Sequence, residues 1–251
     1  MSLTTLIFDV DGTLADTERD GHRAAYNKTF AQAGLDWVWS TELYEELLQV
    51  TGGKERMAFY VSRYRPDFQQ DSNFSSLIAD LYTKKTKLFA ELVANHGIPL
   101  RPGIMRLLQE AKSEGLRLAI ATTTSPHNVT ALLDANLGEE GRDWFACIGA
   151  GDIVPKKKPA PDIYFYVMEQ LGVSPKECLV FEDSDNGLRA ALAANLSVLV
   201  TANDYTRHQD FTGAKLVVDH LGDPGMPCQV LQGDPLEIDW VTVSTLRRLV
   251  R

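Results

Sequence analysis

Three cysteines are too few, and odd in number, for a disulfide framework. Cys147, Cys178 and Cys228 follow no metal-ligand spacing either, so they point to a reducing compartment. Positive charge is also short. The chain has 25 Lys and Arg against 34 Asp and Glu, a formal net charge of −9. No pooled cationic surface is available to displace counterions, which argues against a nucleic-acid partner. No apolar run is long enough to span a bilayer, so no membrane partner is expected. There is no internal repeat and no low-complexity tract. The first residues run directly into an apolar segment without the pattern of a signal or transit peptide. The cytoplasm is the expected location, or the stroma should a transit peptide be missing from this sequence. What remains is 251 residues of ordinary composition, enough for one large domain or two small ones with an ample core.

The chemistry concentrates at Leu6-Ile7-Phe8-Asp9-Val10-Asp11-Gly12-Thr13. Leu6 to Phe8 reads as the tail of a strand buried on both faces, and Gly12 permits a sharp turn where the strand stops. From there to Ile98 the pattern is helical. Helices are expected over His22–Ala33, Thr41–Val50 (with Thr41 as N-cap), Lys54–Tyr64 and Phe74–Asn95. From Pro102 onward strands and helices alternate, with strands at Leu116–Ala121, Ala146–Gly149, Cys178–Phe181, Val198–Val200 and Leu216–Val218. Ser125, Asp162 and Ser244 are positioned to cap helices, Ser174-Pro175-Lys176-Glu177 has the form of a capping box, and Gly222–Pro235 reads as a surface loop. The expected fold is α/β: a doubly wound parallel-sheet (Rossmann-like) core from residues 1–15 and 97–251, with an inserted helical cap domain over 16–96.

Three further strand ends carry polar groups that such a sheet would bring beside Asp9 and Asp11. Leu116–Ala121 runs into Thr122-Thr123-Thr124-Ser125, hydroxyls ahead of a helix N-terminus, which suit an anion. Lys156-Lys157-Lys158-Pro159-Ala160-Pro161 offers a point charge, and the prolines turn Lys158 inward while its neighbours face solvent. Phe181-Glu182-Asp183-Ser184 ends a buried strand with two acids. Opposite Asp9 and Asp11 these would repel strongly unless a hard cation such as Mg²⁺ sat between them.

These four segments, in this order, resemble the motifs of the haloacid dehalogenase-like phosphohydrolase superfamily: Asp-x-Asp-Gly-Thr at Asp9–Thr13, a strand ending in Thr122, Lys158 before a Pro-x-Pro turn, and Glu182-Asp183-Ser184. Within it the chain looks like the CbbY-type sugar-bisphosphate phosphatases and their relatives, the β-phosphoglucomutases and phosphoglycolate phosphatases. Thr51-Gly52-Gly53-Lys54-Glu55-Arg56 resembles the cap's substrate-specificity loop. The resemblance implies a Mg²⁺-dependent phosphatase acting on a small sugar phosphate, a cytoplasmic monomer associated with carbon fixation, where this subgroup acts on xylulose 1,5-bisphosphate.

It also implies roles. Asp9 attacks phosphorus and forms an aspartyl-phosphate. Asp11 protonates the leaving oxygen and later activates water, for which its pKa must be raised. Thr122, Thr123, Thr124 and Lys158 hold phosphoryl oxygens. Asp9, Asp11 (through its carbonyl), Glu182 and Asp183 hold the metal. Gly52 and Gly53 let a ligand approach, Lys54 and Arg56 grip a second phosphate, and Asp16 accepts a sugar hydroxyl. Asp11 also speaks against a dehalogenase, whose halide leaving group needs no acid. None of the five histidines receives a role, and Trp37, Trp39 and Trp144 read as packing or cap surface rather than a binding box. A phosphomutase and a phosphoglycolate phosphatase stay open as alternatives. A non-catalytic binding protein on this fold would be expected to have lost Asp9, Asp11 or Lys158, and none is lost.

Overall fold

In a computed structural model, residues 3–66, 68, 73–233 and 238–250 are described. Seven strands form one sheet in the order β3-β2-β1-β4-β5-β6-β7. They are β1 (Thr5–Phe8), β2 (Arg117–Thr122), β3 (Phe145–Ala150), β4 (Cys178–Glu182), β5 (Ser197–Thr201), β6 (Leu216–Val218) and β7 (Val230–Gly233). All neighbours pair in parallel except β6 and β7. β7 lies inside the segment expected to be a surface loop. Its short, largely exposed run gives no apolar alternation to read, and Asp234 and Pro235 lie outside the described residues.

Alternation along each strand builds a core on each face of the sheet. Leu6 and Phe8, Leu118 and Ile120, Leu179 and Phe181 point to one side. There they meet α5 (Ile104–Ser113), α6 (Pro126–Leu137) and α9 (Val243–Leu249). Ile7, Ala119, Ala121, Val180 and Val198 point to the other, under α7 (Asp162–Leu171) and α8 (Asp185–Ala193). Phe8 and Phe181 sit opposite each other in the β1–β4 register with their rings stacked at 4.4 Å. The chain winds outward from β1 through β2 to β3, then returns as β4 on the other flank of β1. The switch point therefore lies between β1 and β4, where an open sheet leaves a crevice at its carboxyl edge.

Between β1 and α5 lie a π-helical turn (Glu18–His22) and α1 (Arg23–Gln32), α2 (Thr41–Leu47), α3 (Gly53–Tyr64) and α4 (Phe74–His96), with no strand among the described residues. These helices close around their own core of Tyr26, Phe30, Trp37, Trp39, Tyr44 and Tyr60, with ring pairs such as Phe30–Trp39 edge-on at 5.0 Å. α4 belongs to both cores. Ile78 and Leu81 pack among the aromatics, while Leu88, Phe89 and Val93 pack against the sheet's helices. The two connections between the helical segment and the sheet run side by side, where Arg101 N–H donates to the Leu14 carbonyl at 2.8 Å and Ala15 bridges Leu100.

Three caps differ from expectation by one or two residues. Ser40, not Thr41, accepts from the Leu43 N–H. Pro161 precedes α7, with Asp162 its first residue. Thr242, not Ser244, caps α9. In each case a second capping-competent or helix-starting residue lies within two positions of the true one, and the backbone dihedrals decide between them. Ser125 does cap α6, with Pro126 in its first turn.

Candidate active site

Asp9 follows β1, Thr122 ends β2, Lys158 lies in the loop after β3, and Glu182 and Asp183 close β4. The parallel register brings all of them to the same edge. Lys158 is 5% exposed and turned inward. Its Nζ donates to Asp9 Oδ1 at 2.8 Å, to Glu182 Oε1 at 2.6 Å and to the Ala121 carbonyl at 2.9 Å. Tyr164, from α7, donates its hydroxyl to the same Glu182 oxygen. Asp9, Glu182 and Asp183 each place a carboxylate oxygen within 4.8 Å of the others.

One ammonium against three buried carboxylates leaves net negative charge at the strand ends. Burial pushes the Asp9 pKa up to about 7. Lys158 opposes the rise, and Glu182 and Asp11 add to it. Burial and the charges of Asp9 and Glu182 hold Asp183 well above the usual carboxylate range. Buried oxygen donors with a surplus of negative charge fit a hard divalent cation such as Mg²⁺.

A cavity of about 780 Å³ opens over these groups. Asp9, Asp11, Thr122, Thr123, Lys158, Glu182 and Asp183 line it from the sheet edge, and Glu18, Gln49, Thr51 and Arg56 from the helical segment.

Asp11 departs from expectation in its ionisation. Its side chain is not in the carboxylate cluster found among the described residues. Oδ1 instead accepts from Thr17 at 2.5 Å and bonds His22 Nε2 at 2.9 Å, while Lys85 Nζ lies 2.7 Å from His22 Nδ1. Its pKa, expected to be raised, lies at about 2. Burial alone would raise it, but His22, the Thr17 bond and Lys85 outweigh burial. Burial in turn pulls Lys85 down to about 8. His22 and Lys85 carried no sequence signal. Neither lies in a motif, and 63 residues separate them.

The helical segment contributes differently from expectation. Arg56 is buried, donating from Nε to the Leu47 carbonyl at 3.1 Å and from Nη1 to the Tyr44 hydroxyl at 3.1 Å; Tyr44 in turn donates to Glu18 at 2.5 Å. Arg56 reaches the cavity wall, but as part of this chain of bonds. Lys54 does not line the cavity. It pairs with Asp152 at 2.8 Å across the junction with the sheet, and Lys157 bridges Glu55 and Asp152 beside it at 2.7 and 2.9 Å. The two glycines serve packing there. A Cβ on Gly52 would fall 2.2 Å from the Glu55 carboxylate, and one on Gly53 2.5 Å from the Tyr82 ring. Asp16 is turned to Arg101 at 3.3 Å and lines a separate, smaller cavity. Thr124 is buried and occupied by the Asn128 amide at 3.1 Å, away from the cavity wall.

Comparison with known proteins decides the family. The model of the haloacid dehalogenase-like hydrolases matches residues 3–195. The chain belongs to this family. As a haloacid dehalogenase-like hydrolase it is a phosphatase-type enzyme, and its parallel sheet with helices on both faces is the family's fold. Among its relatives, the plasmid-borne protein CbbY of Cupriavidus necator is 49% identical over 225 residues, covering 90% of this chain and 88% of that protein. A CBBY-like protein of Arabidopsis thaliana is 43% identical over 230 residues, covering 89% and 72%. The crystal structure of CbbY from Rhodobacter sphaeroides in complex with phosphate superposes with a TM-score of 0.81 at 48% identity, covering 87% of this chain and 94% of that one. A mutant of that CbbY has been solved in complex with xylulose-(1,5)bisphosphate, at 47% identity and the same TM-score. No helix among the described residues is long and apolar enough to cross a membrane.

Proposed function

We propose that this hydrolase removes a phosphate from a small sugar bisphosphate of the xylulose 1,5-bisphosphate type, through an aspartyl-phosphate on Asp9. The observation that carries the reading is the cavity itself. It is polar, it holds Asp9 beside the buried Lys158, and the surrounding architecture is like that of a protein solved with this bisphosphate.

In this reading residues 16–96 act as a cap whose inner face closes the cavity and excludes water. Mg²⁺, held by Asp9, Asp183 and Glu182, would supply the positive charge that keeps the carboxylates ionised and lets a phosphate dianion approach them. Lys158, Thr122 and the Thr123 N–H orient the phosphoryl oxygens so that Asp9 can attack in line, forming the acyl phosphate as the sugar oxygen departs. Asp11 carries the proton. In the free enzyme it stands ionised between His22 and Thr17. A dianion entering beside it raises its proton affinity, so that the carboxylate takes up a proton from solvent as substrate binds and then gives it to the leaving oxygen. Once the product has left, the same carboxylate receives a proton from the water that cleaves the acyl phosphate and restores Asp9. Glu18, held by Tyr44 and Arg56 at the opposite wall, offers an acceptor for the hydroxyls of a polyol chain.

The test is phosphate release from a panel of pentulose and pentose bisphosphates, hexose 1-phosphates and phosphoglycolate, with isomer formation measured in parallel. Turnover should be highest on a ketopentose bisphosphate, stop with EDTA, return with Mg²⁺, and vanish in Asp9→Asn. Isomerisation of a hexose phosphate without net phosphate release would replace this reading with a phosphomutase.

A further inference from the structure

Asn203 has no part in any motif, yet it stands beside the Asp183 side of the carboxylate cluster. Its Nδ2 donates to Asp183 Oδ2 at 2.7 Å and lies 3.5 Å from the Gly12 carbonyl. The amide is itself fixed. Its backbone N–H donates to Thr206 Oγ1 at 3.0 Å, and its Oδ1 accepts from the Tyr205 N–H at 2.9 Å, so the NH₂ end faces Asp183 and the Gly12 carbonyl.

The backbone carrying Asn203 is tied down in turn. The buried Arg101 guanidinium donates to the carbonyls of Gly12, Thr201, Ala202 and Asp219, the last two at 2.8 and 2.6 Å. One side chain thus joins the turn after β1 to the ends of β5 and β6. Gly12 completes the fit. With φ at +85° it presents no Cβ, and a Cβ there would lie 2.2 Å from Asp183 Oδ2 and 2.7 Å from Asn203 Nδ2.

We infer that Asn203, braced by Arg101 and Thr206, is the positioning residue that aims the Asp183 carboxylate at Asp9 and Glu182. Holding Oδ2 against Gly12 leaves Oδ1 as the oxygen presented to a cation. Without the amide, Asp183 can rotate about χ2 and lose its direction, and buried acids facing one another favour that rotation. The inference rests on the reading that Asp9, Glu182 and Asp183 hold a divalent ion. It assigns Asn203 no contact with ion or substrate.

The experiment measures Mn²⁺ affinity without substrate, from the loss of the free-ion EPR signal, in the parent, Asn203→Leu, Asn203→Gln and Thr206→Val. Leu matches Asn in shape but offers no donor. Its affinity should fall roughly 10- to 100-fold, as for other losses of an outer hydrogen bond to a ligand. Gln keeps the donor and should recover part of the loss. Thr206→Val, which loosens the Asn203 backbone without touching Asp183, should lose less than Leu, and it carries the test should the Leu variant fail to fold. Thermal melts in EDTA should leave Thr206→Val and Asn203→Gln folded. If the parent binds Mn²⁺ and both Leu and Val variants bind within twofold of it, the positioning role is overturned. If the parent itself binds no Mn²⁺, the metal reading fails instead.

Discussion

Replacing Asp9 by Asn should stabilise the metal-free protein while destroying its activity, and the size of the gain follows from the charge around it. The Asp9 carboxyl is moved from 3.8 to about 7 by burial, with Lys158 opposing and Glu182 and Asp11 adding to the rise. A carboxyl whose folded pKa lies above its unfolded one is neutral with no penalty below about pH 4. As pH rises from there through 7, the unfolded chain ionises more readily than the folded one, and stability is lost. About three pH units at roughly 1.36 kcal/mol each set an upper bound of about 4 kcal/mol at pH 8. Asn carries no such penalty, and Lys158 keeps its bonds to Glu182 and the Ala121 carbonyl. For a chain of this size each kcal/mol moves Tm by roughly 2–4 °C. In EDTA at pH 8, Asp9→Asn should therefore melt above the parent by up to roughly 8–16 °C, and the gap should close as pH is lowered to 4. The depressed Asp11 acts in the opposite sense and in another window. Its contribution is present above about pH 4 and is lost as pH falls toward 2. Differential scanning calorimetry across pH 4–8 checks the argument. A variant no more stable than the parent at pH 8, or a gap independent of pH, would refute it.

Two further outcomes follow from the geometry. Arg56→Ala cuts the chain of bonds through Tyr44 to Glu18 and should raise KM for a bisphosphate by tenfold or more, whereas Lys54→Ala removes a half-exposed pair with Asp152 worth about 0.2–1 kcal/mol and should leave KM within about threefold; steady-state kinetics on both variants separate the two. Gly12→Ala places a methyl against Asp183 and forces an L residue to φ +85°, so it should abolish turnover and lower Tm by several degrees, and a variant with parental kinetics would show that the turn has room to relax.

The sequence reveals groups whose neighbours along the chain already explain them. An apolar run ending in an acid, a hydroxyl or a Lys before prolines marks a strand's carboxyl end. A parallel sheet then has little choice but to bring Asp9, Thr122, Lys158 and Glu182 together. Groups defined by distant partners were not legible. Lys54 reads as a cation waiting for a phosphate because nothing local reveals Asp152, 98 residues on. Asp11 reads as an acid with a raised pKa because His22 and Lys85 reach it only through the packing of the π-helical turn against α4. Asn203 sits in a polar turn that looks like any other connection. β7 escaped because an edge strand pairing on one side can be largely exposed and polar, whereas the strands inside the sheet are buried on both faces and show as apolar runs.

α4 threads two hydrophobic interiors. Its Val93 end is clamped beside the sheet and its Ile78 end is embedded among the helical segment's aromatics. Fifteen residues of helix separate those positions, roughly 22 Å of stiff rod. A door hung on two slack strings could swing free, but one bolted to such a rod can only lean. In the proposed reading, pivoting by about 10° at the sheet end would carry the far end roughly 4 Å, about one sugar carbon chain's thickness, so that a small phosphorylated substrate could enter and leave by tilting rather than detachment.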